Sequence, residues 1–237
     1  MAAPSMLRSV ARQALPRPTC TPRRNLTASA ARRSAQRTSL EHPRYHGLYY
    51  HPIDPQASSS SGNPAYALSF LSDPPPAQAS LNSLPSVIGI LQQRAPSTRT
   101  SGETSGSNAV PDLVPRNFTE NRDFRTVLHD ILRQAVTFDA KLHTEAQNRQ
   151  DGWIHIADAR APADLNRVPD PSDIIASVLV QEGRIVPESY EPGGMHRMVT
   201  NDGLMKLDEG LMPIVRQALE QVRQIELQEL NNHELQG

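Results

Sequence analysis

IIASVLVQEGRIVPESY, residues 174–190, is the stretch that decides the fold of this chain. Its first eight residues are mostly apolar and of strand length, which is typical of a strand that is mostly buried. Glu182 and Gly183 then offer a tight turn into the polar and apolar residues 184–190. A turn of two residues between two strand-like runs predicts an antiparallel β-hairpin.

Further strands are indicated on both sides of this hairpin. Residues 153–156 alternate as a strand, and the turn signals at 192–194 and 201–203 bracket another strand at 195–200. The whole region therefore predicts a short antiparallel meander.

Two helices accompany the predicted strands. Asn117 and Glu120 are spaced as a capping box, and they introduce a predicted helix of about 25–30 residues that ends before Gly152. Its apolar residues recur in alternating steps of four and three, at Phe124, Leu128, Ile131, Ala135, Phe138 and Leu142. A C-terminal helix is predicted from the spacing of Leu211, Val215, Ala218, Val222 and Ile225. The expected fold class is α+β, a short antiparallel sheet packed with two helices.

The chain divides into three predicted regions. Residues 1–39 are expected to be a disordered transit peptide, residues 40–112 a Ser/Pro-rich extended segment with short strands, and residues 113–237 the small α+β domain. Apolar islands at 47–51, 66–71 and 87–91 are expected to extend the sheet of that domain. The polar tract at 96–111 is typical of a linker.

The first forty residues hold eight arginines, no lysine and no acidic residue. This Arg-rich and acid-poor composition is typical of a mitochondrial transit peptide, and we expect a location in the matrix. The alternatives are a basic tail that binds RNA or acidic lipid, and a plastid address.

Charge and cysteine content restrict the function of the remaining chain. Without the first forty residues the chain has 16 basic and 25 acidic residues, a net charge of −9. An acidic body argues against DNA binding and disfavours RNA contacts, which need clustered cations. The one cysteine, Cys20, lies in the predicted presequence, so we expect no disulfide, thiolate metal site or cysteine nucleophile in the mature chain. No apolar run is long enough to span a membrane, and peripheral attachment to the inner membrane stays open.

Several histidines are candidate metal ligands or acid–base groups. For His42, His46 and His51 the spacing argues against a metal site, because Pro43 disrupts a helical pair and a separation of five residues places the last two on opposite strand faces. Two further pairs fall on the predicted long helix, where favourable surface pairs are the ordinary interpretation: His129 with Asp130, and Asp139 with His143.

The strongest candidate chemistry lies at the end of the strand at 153–156. There His155 is a candidate base oriented by Asp158, with Arg160 close by in sequence. The loop that follows adds Asp164, Arg167, Asp170 and Asp173. The motif at 192–197 offers backbone amides and Arg197 to an anion, or is simply a hairpin turn.

No catalytic signature accompanies these residues, and we expect no metal and no cofactor. The leading hypothesis is a non-catalytic mitochondrial protein that acts through protein–protein contacts as an accessory or assembly factor of a larger complex. One alternative is a small matrix enzyme that uses His155, Asp158 and Arg197. Another is a protein attached to the periphery of the mitochondrial ribosome.

Overall fold

The computed structural model describes residues 39–53, 65–76, 81–92, 112–160 and 169–236. Within these ranges the chain forms three helices and antiparallel sheets, which confirms the α+β class, although with three helices rather than two. The predicted transit peptide, except for Ser39, and the predicted linker at 96–111 lie outside the described residues.

A five-stranded antiparallel sheet is built from the first half of the chain. Each strand pairs with its neighbour in sequence, in the order β1-β2-β3-β4-β5. Its strands are β1 (Leu40–Glu41), β2 (Tyr49–Ile53), β3 (Ala65–Ser69), β4 (Gly89–Gln92) and β5 (Phe118–Glu120). The three apolar islands are therefore strands, as predicted, but they form a sheet of their own instead of extending the sheet of the C-terminal half.

The second sheet is the meander around the hairpin. It contains β6 (Gly152–Ala157), β7 (Ile174–Gln181) and β8 (Arg184–Pro192) in that order. Glu182 and Gly183 have positive φ angles of 49° and 74°, as a tight hairpin turn requires. The strand expected at 195–200 is reduced to β9 (Val199–Thr200), which pairs only with β10 (Gly203–Leu204).

The predicted long helix is two helices, α1 (Arg122–Ala135) and α2 (Ala140–Arg149). The capping box was misplaced, because Asn117 ends a 3₁₀ turn and Glu120 belongs to β5. Asn121 is the actual N-cap, and its side-chain oxygen accepts from the amide of Asp123 at 3.0 Å. The same buried side chain donates to the carbonyl oxygens of Leu84 and Val87, which ties α1 to the first sheet.

The C-terminal helix is α3 (Leu211–Gln236), and its buried stripe differs from the predicted one. The prediction followed Ala218, Val222 and Ile225, but Ile225 is 55% exposed. The residues that face the core recur at steps of four and then three: Leu211, Val215, Leu219, Arg223 and Glu226. The last turns of this stripe therefore bury two charged residues.

The larger of two buried hydrophobic clusters contains residues from both sheets and from all three helices. Tyr50 and Leu68 of the first sheet, Phe124 of α1, Val178 of β7 and Val215 of α3 belong to the same buried cluster. Helix α1 contacts α3 and β8, and α2 contacts β6 and β8. One face of the three-stranded sheet is thus covered by α1 and α2.

Candidate functional site

Asp158 lies at the centre of a buried polar cluster just after the end of β6. Its side chain is 1% exposed. Oδ1 accepts from the backbone amides of Arg160 and Lys206, each at 3.0 Å. Oδ2 accepts from Nε2 of His196 at 2.8 Å and from the guanidinium of Arg160, whose Nη2 lies 2.7 Å away. Both carboxylate oxygens are therefore fully used by donors within the protein.

Arg160 connects this cluster by hydrogen bonds to the segment around β9 and β10. Its Nη1 donates to Oγ1 of Thr200 at 3.0 Å and to the carbonyl oxygen of Gly203 at 2.7 Å. Its Nη2 donates to the carbonyl oxygen of Arg197 at 2.9 Å. The guanidinium thus binds backbone carbonyl oxygens in β10 and in the segment before β9, which is a structural role.

The charges of this cluster are stabilised internally. Burial alone would raise the pKa of Asp158, but the hydrogen bonds from His196, Arg160 and two backbone amides lower that pKa to about 2. The carboxylate is therefore ionised throughout the physiological pH range. Its oxygens are engaged by groups of the protein, and the imidazole that it orients is that of His196.

His155 does not join Asp158, and the predicted dyad is wrong in this respect. The imidazole of His155 is hydrogen-bonded through Nδ1 to Oγ of Ser177 on the neighbouring strand, at 2.8 Å. The histidine that binds Asp158 is His196, which is 38 positions away in sequence. Arg197 contributes only its carbonyl oxygen to the cluster, and its side chain is exposed.

The motif at 192–197 forms a turn after β8. The amide of Gly193 donates to the carbonyl oxygen of Ile175 at 2.8 Å, and a β-carbon at this glycine would collide with the carbonyl oxygen of Ile174. The turn brings His196 back to Asp158. Of the charged loop residues, Asp164 and Arg167 lie outside the described residues, while the carbonyl oxygen of Asp173 accepts from the amide of Asp158 at 2.7 Å. Asp170 closes the adjacent turn by accepting from the amide of Asp173.

The three N-terminal histidines have separate environments. His42 accepts from the amides of Arg44 and Tyr45 through Nδ1. The side chain of His46 is 92% exposed and lies 3.7 Å from Glu41. His51 is buried, and its Nε2 donates to the carbonyl oxygen of Leu71 at 3.0 Å. Its Nδ1 lies 2.7 Å from Oγ of Ser39.

The two predicted pairs, His129 with Asp130 and Asp139 with His143, also have separate hydrogen-bond partners. Nδ1 of His129 is hydrogen-bonded to the hydroxyl of Tyr190 at 2.8 Å, whereas Asp130 is exposed. Asp139 is the N-cap of α2 and accepts from the amide of Leu142 at 2.8 Å. His143 donates to the carbonyl oxygen of Thr137 instead of sharing a ligand with Asp139. Across the described residues, no group of three or more histidine, cysteine or acidic side chains is placed to hold a metal.

A second buried polar cluster was missed by the sequence analysis. Glu226 of α3 accepts from the amide of Ser86 at 2.7 Å through Oε1 and from its hydroxyl at 2.5 Å through Oε2. Arg223 lies 3.1 Å from the same carboxylate and donates through Nε to Oγ of Ser86. An i, i+3 pair near a polar C-terminus resembles an ordinary surface pair, and only the step of four from Leu219 indicates that it is buried.

We expect stability to fall as the pH drops from about 7.5 to about 5, because His51, which is buried, and His129, which is half-buried, are held in their neutral form. Burial lowers the pKa of both His51 and His129 to about 4, below the value of 6.5 in the unfolded chain. The unfolded state therefore binds protons first as the pH falls, and each histidine should remove about 2 kcal/mol of stability between about pH 7.5 and about pH 5. Asp158 titrates below this window and does not contribute.

The free energy of unfolding in urea, measured at about pH 7.5 and at about pH 5, tests this effect. Burial also lowers the pKa of His42 and of His155, so these two residues add to the pH dependence. Replacement of His129 by glutamine should therefore remove a substantial part of the pH dependence but not all of it, whereas replacement of the exposed His46 should leave it unchanged. Equal unfolding free energies of the original chain at both pH values would show that the two buried histidines do not control acid stability.

Comparison with protein-family models, with curated proteins and with solved structures finds no match for this chain. Among the described residues, no helix is both long and apolar enough to cross a membrane.

Proposed function

We propose that this protein acts by binding another protein, as a non-catalytic accessory or assembly factor of a mitochondrial complex. The observation that best supports this proposal is a row of apolar side chains on one face of the three-stranded sheet. This is the face that α1 and α2 do not cover. The location rests on the composition of the first forty residues, and the partner class rests on this sheet face.

The row consists of Trp153, Leu179 and Val186, which are register partners across β6, β7 and β8. Trp153 is 38% exposed, and Leu179 and Val186 are half-buried. At the neighbouring positions Ile154 and Val178 point to the helices and are fully buried. We call the outward row the sheet-face row.

The residue types of this row suit a protein partner. Tryptophan buries a large area at little cost in conformational entropy, and it is enriched among the residues that dominate protein interfaces. Its aliphatic neighbours on adjacent strands form a contiguous apolar surface with it, and such surfaces mark interaction sites more often than isolated exposed residues do.

The polar clusters support a binding role over a catalytic one. Asp158 and Glu226 have all their oxygens engaged by internal donors, and His155 is separated from Asp158. The matrix-enzyme hypothesis thereby loses the dyad on which it depended. The mitochondrial-ribosome alternative is a special case of protein binding, and ribosomal RNA in the purified complex would identify it.

Replacement of both Trp153 and Val186 by serine is expected to abolish recovery of the partner when the tagged full-length chain is purified from mitochondria. The physical reason is the loss of most of the apolar area of the sheet-face row. Replacement of Phe138 by serine is the matched control, because Phe138 is 75% exposed but lies on the turn between α1 and α2.

Thermal unfolding must show that the double variant remains folded. Partner recovery that is equal for the original chain and a folded double variant would place the interface elsewhere. Equal loss in the Phe138 variant would show that the effect is not specific to the sheet-face row.

A further inference from the structure

A cleft of about 670 Å³ lies between α3 and the loop that follows β3. Phe70 and Leu71 supply apolar side chains to it, and Tyr49 lines it from β2. The α3 wall includes Arg216, Glu220 and Arg223. A volume of this order suits a small molecule.

Arg223, in the α3 wall of the cleft, has one hydrogen-bond donor without a partner among the described residues. The residue is 4% exposed, its Nε donates to Ser86, and its Nη1 donates to the carbonyl oxygen of Pro74 at 2.9 Å. Its Nη2 is buried and has no hydrogen-bond partner among the described residues. The Glu226 carboxylate contacts this guanidinium at Nε, with 3.1 Å to Oε2, and does not satisfy Nη2. A buried guanidinium with an unused donor is a natural partner for an anionic oxygen.

Arg216 repeats this arrangement two helical turns earlier. Its Nε is also buried without a hydrogen-bond partner in the described part of the chain. Its guanidinium packs against Gly47, where a β-carbon would collide with Nη2. Residues seven positions apart lie on the same side of a helix, at about 10 Å along its axis. Two arginines that line one cleft therefore each have a buried guanidinium nitrogen without a hydrogen-bond partner among the described residues.

We propose that this cleft binds a small organic anion that carries carboxylate or phosphate groups. Arg223 binds an anionic group at one end, Arg216 provides a second donor, and Phe70 and Leu71 contact the carbon skeleton. Asp73 and Glu220 also line the cleft, and their negative charges repel any anion placed beside them. The proposed ligand is therefore a small one whose anionic groups lie at the two arginines, and not an extended polyanion such as a nucleic-acid backbone. This site lies in a different part of the fold from the sheet-face row. The test of anion binding is therefore independent of the test of the proposed function.

Site-resolved NMR titration of the isotope-labelled full-length chain tests the proposal. The probes are citrate, inorganic phosphate and pyrophosphate, each added at constant ionic strength with chloride as the balancing ion. Citrate reports carboxylate binding, and the other two report phosphate binding. Site resolution is necessary because the eight arginines of the first forty residues also attract anions. The backbone amides of Ser72 and Gln217 are the reporters, since both residues line the cleft.

We expect saturable shifts at both reporters with at least one probe. The variants R216A and R223K should each weaken that binding about five-fold or more. R184A is the matched control, because Arg184 is an exposed arginine on β8 and does not line the cleft. R216A is decisive on its own if R223K does not fold.

Two results would overturn the proposal. One is the absence of saturable shifts at the reporters with all three probes up to about 10 mM. The other is binding that R216A leaves unchanged or that R184A weakens equally, because either would indicate nonspecific attraction to positive charge.

Discussion

Replacement of Asp158 by alanine is expected to lower the free energy of unfolding by roughly 3–5 kcal/mol. The change removes the carboxylate but leaves Arg160, with a side chain that is 8% exposed, in place without its counter-charge. His196 loses its acceptor at the same time. Removal of one partner from a buried ion pair is costly because the remaining charge stays desolvated. Urea unfolding at neutral pH measures the difference.

Two further variants give this prediction its controls. Asp158→Asn keeps the shape and part of the hydrogen bonding, so its effect should lie between those of the original residue and alanine. Asp130→Ala removes a carboxylate whose side chain is 61% exposed, and it should change stability by less than about 1 kcal/mol. A loss of under about 1 kcal/mol for Asp158→Ala would mean that the cluster around β9 and β10 does not stabilise the fold.

Replacement of Glu226 by alanine is expected to have a similar effect, again roughly 3–5 kcal/mol. Glu226 accepts from both the amide and the hydroxyl of Ser86 and compensates the buried charge of Arg223. Without it, Arg223 remains buried beside an unpaired amide, and α3 loses its connection to the segment before β4. The unfolding free energy of the variant is the measurement.

The double variant Arg223→Met, Glu226→Leu separates charge burial from packing. It removes both charges and keeps apolar side chains of similar length, so it should be less destabilised than Glu226→Ala alone. A double variant that is as unstable as the sum of its single changes would show that the two residues act independently.

The parts of the fold that were predicted correctly are encoded by neighbouring residues. The hairpin of β7 and β8 combines a buried apolar run with a two-residue turn, and both signals are local. The assignment of strands to sheets is not local. The apolar islands were correctly predicted to be strands. Their residue patterns do not indicate that these strands pair with one another instead of with β6.

The break between α1 and α2 shows why periodicity alone misled the prediction. The apolar steps of four and three continue in register through Ala135, Phe138 and Leu142, so the pattern passes over the break. Phe138 fits the pattern but is exposed. The available signal was Asp139, an N-cap residue three positions before the amide that it caps.

The candidate site was predicted only where its contacts are short in sequence. Asp158 and Arg160 are two positions apart, and the sequence analysis placed both in one candidate site, although it paired Asp158 with His155 and not with Arg160. His196 belongs to the cluster because the turn at Gly193 folds it back, which depends on the tertiary fold. Ser86 and Glu226 are separated by 140 positions, so no local pattern could have joined them.

Sedimentation of the tagged full-length chain in mitochondrial extract tests the central claim most directly. The original chain is expected to sediment with a large complex, and the folded Trp153→Ser, Val186→Ser variant at the position of a monomer. An original chain that sediments only as a monomer, or a variant that remains in the large complex, would contradict binding through the sheet-face row.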